Sequence, residues 1–225
     1  MSLILALDTS TSSGSVALVK DGKLIASHIY SIDKSHSSLL HVMIEQMMAN
    51  ASFAMSELKG IAVAEGPGSY TGLRIGVSAA KGLCLALDIP LMAINTLEAM
   101  AYQLARRSSD NCMYCPMIDA RRMEVYAALY LHDMKEVKPT APVLLEEYAY
   151  EDVLPTSKIL FFGDGSQKAS EVVKHENAYF ASDIVPSAEE VALLAVKKFE
   201  NKNFENVVAF EPFYLKEFRT ASSFK

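Results

Sequence analysis

Long uncharged stretches are missing from this sequence. No run free of Asp, Glu, Lys and Arg exceeds 11 residues, whereas a helix that spans a membrane needs about 20 apolar residues, so transmembrane helices are excluded. Cysteine is scarce, with three in 225 residues, and an odd, small number fits a reducing compartment better than a disulfide framework. Positive charge is also short: 21 basic against 27 acidic side chains, a net −6. Residues 1–110 hold 8 basic and 9 acidic side chains and residues 111–225 hold 13 and 18, so neither half has the balance of a nucleic-acid surface. The opening Met1 to Leu7 is apolar but lacks a basic leader and runs into Asp8; it reads as a strand rather than a signal peptide. The expected compartment is the cytoplasm.

With 51% apolar and 21% charged residues the chain can bury a real core, which excludes disordered and fibrous classes. At roughly 150 residues per domain its length suggests one large domain or two small lobes. Leu3 to Asp8, Ser15 to Lys20 and Lys23 to Tyr30 read as three antiparallel strands, the last two joined by the hairpin signal Asp21-Gly22. Leu40, Met43, Ile44, Met47, Met48 and Ala51 recur at helical spacing after a cap at Ser37 or Ser38. A buried strand at Gly60 to Glu65, a glycine loop, a helix over Thr71 to Leu87, a strand at Leu91 to Ile94 and a helix over Thr96 to Arg107 complete a βββαβαβα order. The polar run Arg106 to Asn111 marks a lobe boundary, giving an N-terminal lobe at 1–108 and a shorter one at 109–225. In the second lobe, strands at Tyr114 to Ala120, Met123 to Leu131 and Ile159 to Gly163 and helices at Ser166 to Lys174 and Ala188 to Glu200 form a reduced echo of the first. Residues 133–157, with three prolines, show no firm periodicity.

Eight of the ten glycines fall in the first 82 residues and six of those between Gly60 and Gly82. Gly72, Gly76 and Ala80 lie four apart on one helix face, and each interior glycine costs about 1 kcal/mol relative to alanine, so a close approach must compensate. That approach is made by another helix, by a ligand at the helix start, or by the chain's own sheet. The loop is no Walker motif, because Lys81 lies deep in the helix, and no nucleophile elbow, because the centre of Gly68-Ser69-Tyr70-Thr71-Gly72 is tyrosine. Asp8, Ser10 and Thr11 in the small-residue loop after the first strand are candidate nucleotide-binding residues, with the reservation that such residues are common in turns. Cys112 and Cys115 form a C-x-x-C, but Pro116 follows and a strand continues, so they read as ordinary half-buried thiols. No two of the five histidines share an i, i+4 spacing, and no metal site is expected. Leu39, Leu40, Met43, Ile44, Met47 and Met48 wrap more of the first helix than one sheet-facing stripe requires, which makes a partner surface plausible beside the default core reading.

The element order, the Asp8 loop and the string Gly66-Pro67-Gly68-Ser69-Tyr70-Thr71-Gly72-Leu73-Arg74-Ile75-Gly76 together resemble the TsaB family, also called YeaZ. His36-Ser37, Ala80-Lys81-Gly82-Leu83 and Asn95-Thr96-Leu97-Glu98-Ala99 fit as well. The match continues more thinly through Ile118-Asp119-Ala120-Arg121-Arg122-Met123-Glu124-Val125-Tyr126, Gly163-Asp164-Gly165 and Pro212-Phe213-Tyr214-Leu215. The resemblance implies an α/β, actin-like and Hsp70-like ATPase (ribonuclease H-like) fold of two lobes, each with a mixed sheet, the second reduced. It also implies a non-catalytic role in attaching threonylcarbamoyl to the adenosine beside the anticodon of tRNAs reading ANN codons. The catalytic paralogue TsaD uses a metal held by an H-x-x-x-H pair, whose places here are Thr96 and Met100; a hydroxyl and a thioether are poor substitutes. The metal is expected on TsaD only. Asp119 is followed by Ala120-Arg121-Arg122 rather than glycine, so the second phosphate loop is incomplete, and any ATP or ADP binding is expected to be weak.

The resemblance further implies a heterodimer with TsaD, a ternary complex with the ATPase TsaE, a homodimer when alone, and tRNA contacts carried mainly by partners. The expected interface comprises Leu39, Leu40, Met43, Met47, Gly72, Arg74, Ile75, Gly76, Ala79 and Ala80. The alternatives are a stand-alone actin-fold ATPase or small-molecule kinase working through Asp8, and a protein that only pairs with itself.

Overall fold

A computed structural model describes residues 2–30, 36–107 and 111–216, with the backbone alone at 36–38. The expected caps Ser37 and Ser38 lie inside the first helix, which already includes His36. The chain forms two five-stranded sheets. The first contains β1 (Leu3–Asp8), β2 (Gly14–Lys20), β3 (Lys23–Tyr30), β4 (Gly60–Gly66) and β5 (Leu91–Asn95), in the order β3-β2-β1-β4-β5. The second contains β6 (Met113–Asp119), β7 (Glu124–Tyr130), β8 (Glu136–Leu144), β9 (Ile159–Phe162) and β10 (Ala178–Ala181), in the order β10-β9-β6-β7-β8. In both, three antiparallel strands are followed by two parallel ones, so the second half repeats the first. The helices are α1 (His36–Asn50), α2 (Tyr70–Leu87), α3 (Thr96–Ala105), α4 (Ser166–Val172) and α5 (Ala188–Glu200). Among the described residues the second half has turns over 147–157 where the first has α1.

Alternation along the strands decides what each face of the first sheet holds. Leu3, Leu5, Leu7, Val16, Leu18, Ile61 and Val63 point to one face and pack with Leu40, Ile44 and Met47 of α1 and Val77, Ala80 and Cys84 of α2. Ile4, Ala6, Ala17, Ala62 and Ala64 point to the other and pack with Ala188, Val191, Ala192 and Ala195 of α5. Alanine on both sides of that second seam lets α5 lie close to the sheet. Burying each large aliphatic side chain contributes about 1.5–3 kcal/mol over leaving it in water.

The two halves therefore exchange helices. α5, from the second half of the sequence, covers the first sheet, while Leu97, Met100 and Ala101 of α3 pack against Tyr114, Ile118, Ala128 and Phe162 of the second. The last turn of α3 is tied to the first turn of α5: Arg106 Nη2 lies 2.7 Å from Glu190 Oε1 and also pairs with Glu189. The expected boundary near residue 108 is thus a boundary in sequence, and in space 109–225 is not a separate lobe. Two strands are unforeseen, β8 and β10. Pro139 and Pro142 hide the first, which is an edge strand where prolines are tolerated; the second has four residues only.

Candidate functional site

The loops after β1 and β4 meet at the first sheet and those after β6 and β9 at the second, with the carboxy-terminal segment spanning the cleft between them. In the loop after β1, Asp8, 1% exposed, accepts hydrogen bonds on Oδ1 from the Ser10 N–H at 2.8 Å and the Ser10 hydroxyl at 2.7 Å. Thr11 turns instead toward the Ser13 carbonyl, 3.4 Å away. The loop lies directly under the start of α2: Thr9 Oγ1 donates to the Gly72 carbonyl at 2.7 Å and the Ser69 N–H to the Ser10 carbonyl at 2.6 Å. A Cβ at Gly72 would collide with the Thr9 carbonyl, one at Gly76 with Thr9 Oγ1 and one at Gly68 with the Ser10 carbonyl. The glycine spacing is explained by this approach of α2 to the chain's own loop after β1, which is neither the partner helix, nor the ligand, nor the sheet face weighed from the sequence. The α2 amino terminus is capped by Ser69, whose Oγ accepts from the Gly72 N–H at 3.3 Å.

The second half repeats this turn with different chemistry. Asp119 Oδ1 accepts from the Arg121 N–H at 2.5 Å, as Asp8 does from Ser10, and from Lys168 Nζ at 2.9 Å. Burial opposes ionisation of Asp119, but these donors together with the charges of Lys168 and Arg121 hold its carboxyl below the usual range. Lys168 also donates to the carbonyls of Arg122 and Glu124 at 2.8 and 2.6 Å.

The carboxy-terminal segment crosses the cleft without regular structure, a course no periodicity in the sequence announces. Lys81 Nζ, half-buried on α2, donates to the carbonyls of Val208 and Phe210; the Phe213 N–H donates to the Glu65 carbonyl at 2.8 Å. Tyr214 leans on Tyr70 with ring centroids 5.0 Å apart, and Lys216 reaches Glu124 of the second half at 2.6 Å. The cavity left between this segment, Pro67, Gly68, Tyr70 and Tyr126 is about 40 Å³, room for water and not for a nucleotide.

The expected interface residues separate into two sets. Leu40, Met47, Gly72, Gly76 and Ala80 are buried in the chain's own core, which corrects their assignment to a partner-facing stripe. Leu39, Met43, Ile75 and Ala79 keep part of their surface and Arg74 is exposed, its guanidinium 4.5 Å over the Tyr70 ring. Beside them lies an open apolar groove of about 360 Å³, lined by His41, Ile44, Glu45, Met48, Ala49, Phe53, Met55 and Leu83, with Val42 and Leu85 exposed at 43% and 63%. On the same helix Ser78, Gly82 and Ala86 form an exposed small-residue stripe, and a Cβ at Gly82 would meet no described atom within 4 Å. Counting apolar residues on α2 and α1 could have found Leu85 and Val42; which small-residue stripe was buried could not be counted.

The remaining candidates are chemically quiet. Cys115 is fully buried rather than half-buried, and burial pushes its thiol and that of Cys84 up to about 12, far from thiolate chemistry at neutral pH. Thr96 and Met100, 0% and 1% exposed, are buried, Met100 in the core under the second sheet. Among the described residues no three His, Cys, Asp or Glu side chains are grouped to hold a metal, and no helix is long and apolar enough to cross a membrane.

Comparison with known proteins adds the family. The chain is 31% identical over 95% of its length, and 94% of theirs, to the tRNA threonylcarbamoyladenosine biosynthesis protein TsaB of Escherichia coli, and 33% identical over 76% of its length to the Bacillus subtilis protein of the same name, covering 75% of that protein. The chain belongs to the TsaB (YeaZ) family. YeaZ from Pseudomonas aeruginosa superposes with a TM-score of 0.84 at 30% identity, covering 96% of this chain and all of that one. The model of the family described as TsaD, tRNA N6-adenosine threonylcarbamoyltransferase, matches residues 23–223 of this TsaB-family chain. The actin-like ATPase fold extends further, to a dehydratase activator from Clostridium difficile with bound ADPNP: TM-score 0.51, 10% identity, 91% of this chain and 98% of that one.

Proposed function

We propose that this chain is a non-catalytic subunit for threonylcarbamoyl transfer to the adenosine beside the anticodon of tRNAs reading ANN codons, acting by binding the transferase TsaD in the cytoplasm. One observation carries the reading: the outer surface of α1 and α2 presents an apolar groove of about 360 Å³ together with exposed Val42 and Leu85, a patch that water-facing helices rarely keep without a partner. The names of the TsaB relatives supply the pathway. The open stripe of Ser78, Gly82 and Ala86 supports close helix approach there. TsaE is read as a third subunit of the complex, and a homodimer through the same face as the state of the chain alone.

The Asp8 loop supports this reading over a stand-alone ATPase or kinase. Its hydroxyls and carbonyls are engaged by Gly72 and Ser69, the places where a phosphate would need donors. Asp8, Ser10 and Thr11 are accordingly read as a structural loop. The test is threonylcarbamoyl transfer to tRNA by TsaD with and without this chain, alongside size-exclusion chromatography of the mixture. Co-elution, with activity only when both are present, is the expected result; no complex and undiminished activity of TsaD alone would sink the proposal.

A further inference from the structure

The connection from β6 to β7 places Arg121 and Arg122 at consecutive positive φ angles of 68° and 53°. Side chains with a Cβ avoid that region, and Asn-Gly or Gly-Gly is the ordinary sequence for it. Two arginines there are unfavourable for folding, so a role outside folding is the natural reason for them. Both are exposed. The turn beneath them is rigid. Lys168 ties Asp119, Arg122 and Glu124 together, the Ala120 N–H donates to the Glu124 carbonyl at 3.1 Å, and the Asp119 N–H donates to Asp164 Oδ1 at 2.8 Å. A guanidinium pair on such a base is presented with little backbone entropy to lose.

The surface beside the turn continues the same chemistry. Lys216 lies 3.5 Å from the Ala120 carbonyl and 5.6 Å over the Tyr126 ring. Beyond it Tyr214 leans on Tyr70, and the Arg74 guanidinium lies over the Tyr70 ring. Of the acidic groups at this turn, Asp119 pairs with Lys168 and Glu124 with Lys216, while Asp164 accepts from the Asp119 N–H. Among the described residues none of Arg74, Arg121 and Arg122 makes an ion pair. The rim is therefore cationic and aromatic; Arg121, Arg122, Tyr214 and Lys216 come from the half of the chain with the larger acidic excess and Tyr70 and Arg74 from the other, in both of which composition alone pointed away from nucleic acid.

We propose that the rim formed by Arg121, Arg122, Lys216, Tyr214, Tyr70 and Arg74 is a contact surface for the tRNA substrate, with phosphates on the guanidinium groups and an unstacked loop base on Tyr214, which Tyr70 braces. Guanidinium forks match phosphate geometry, and aromatic faces stack on single-stranded bases. The cavity beneath, about 40 Å³, is too small for a free nucleotide, which favours a polyanion lying across the rim. The inference rests on the proposed role in tRNA modification.

The decisive variant is the double substitution Arg121→Asn, Arg122→Gly, titrated with unmodified tRNA both as the isolated chain and in its complex with TsaD. Relief of the positive φ angles should raise the melting temperature, while tRNA affinity falls about tenfold or more and the slope of log K against log salt shrinks by roughly 1.4–1.8 for two phosphate contacts. Arg121→Lys with Arg122→Lys should retain most of the affinity, and Tyr214→Ala should weaken single-stranded loop RNA more than duplex RNA. A more stable variant that binds tRNA as tightly as the parent, in both settings, overturns the inference. If the complex is intact and only tRNA binding is unchanged, the role beside TsaD stands and the RNA surface falls. If no complex forms with the parent chain, the subunit reading falls and the titration of the isolated chain still decides this one.

Discussion

The first and second halves of the molecule share a five-stranded sheet of one topology, yet only the first carries a full helical layer on its outer side. In the first half α1 and α2 cover the sheet and leave apolar surface facing outward. In the second, turns over 147–157 and the seven-residue α4 close the core directly, with Leu145, Tyr150 and Leu154 buried. Duplicated topology thus leaves room for division of labour: one half keeps a helical face with apolar surface outward, the face proposed for a partner, and the other closes its core with turns and one short helix. The turns after the first strand of each half differ in the same spirit. The Asp8 turn is buried under α2, whereas the Asp119 turn stands at the surface and carries two arginines.

The sharpest way to break this comparison is on the two faces of α2. Gly76→Glu drives a side chain into Thr9 and should prevent folding, a loss of about 4 kcal/mol or more. Gly82→Glu has open space and gains up to about 1 kcal/mol of helix propensity, so it should melt no lower than the parent while association with TsaD is lost. Circular dichroism and co-elution read both, and normal co-elution of Gly82→Glu would remove α2 from the interface.

The coupling between halves is next. Arg106→Ala leaves Glu190, 1% exposed, without its main counter-charge and should cost about 3 kcal/mol; denaturant unfolding that shows under 1 kcal/mol would mean the exchanged helices hold by apolar packing alone. A smaller effect separates the two aspartate turns. Asp8→Ala, which strips a buried acceptor from Ser10, should cost about 2 kcal/mol, and Asp119→Ala, half exposed, under about 1 kcal/mol. Equal costs would erase the distinction drawn between them.

The smallest expected change concerns pH. Burial raises the Glu65 carboxyl, with Lys198 opposing and Glu205 and Glu98 reinforcing. A carboxyl raised in the folded state favours the protonated form, so its cost is absent below the unfolded value and grows as pH rises through the folded one. Glu65→Gln should therefore raise the melting temperature at pH 7 and leave it unchanged near pH 3.5; the opposite trend would mean that Lys198 outweighs burial.

Much of this was legible in the residues themselves. The short apolar run Leu3–Asp8, the alternation in Ser15 to Lys20, the Asp21-Gly22 turn, the helical spacing from Leu40 and the glycine density from Gly60 to Gly82 are local signals, and local geometry obeys them. β8 was hidden because its prolines sit at a sheet edge, which only the sheet defines. The proposed interface was half legible: apolar excess on α1 and α2 could be counted, but Gly72, Gly76 and Ala80 were set facing a partner when Thr9 lies against the two glycines and Ala80 is buried in the core.

The sequence by itself determined eight of the ten strands, the long helices, the order of the first half and the family, since each depends on neighbours a few positions apart. Only the tertiary structure decided that α3 and α5 change sheets, that the 204–216 segment crosses the cleft, and which small-residue stripe of α2 stays open. Periodicity says that a face is apolar or smooth; what covers that face is chosen by packing between segments up to two hundred residues apart, where the most buried area and the fewest unpaired polar groups prevail.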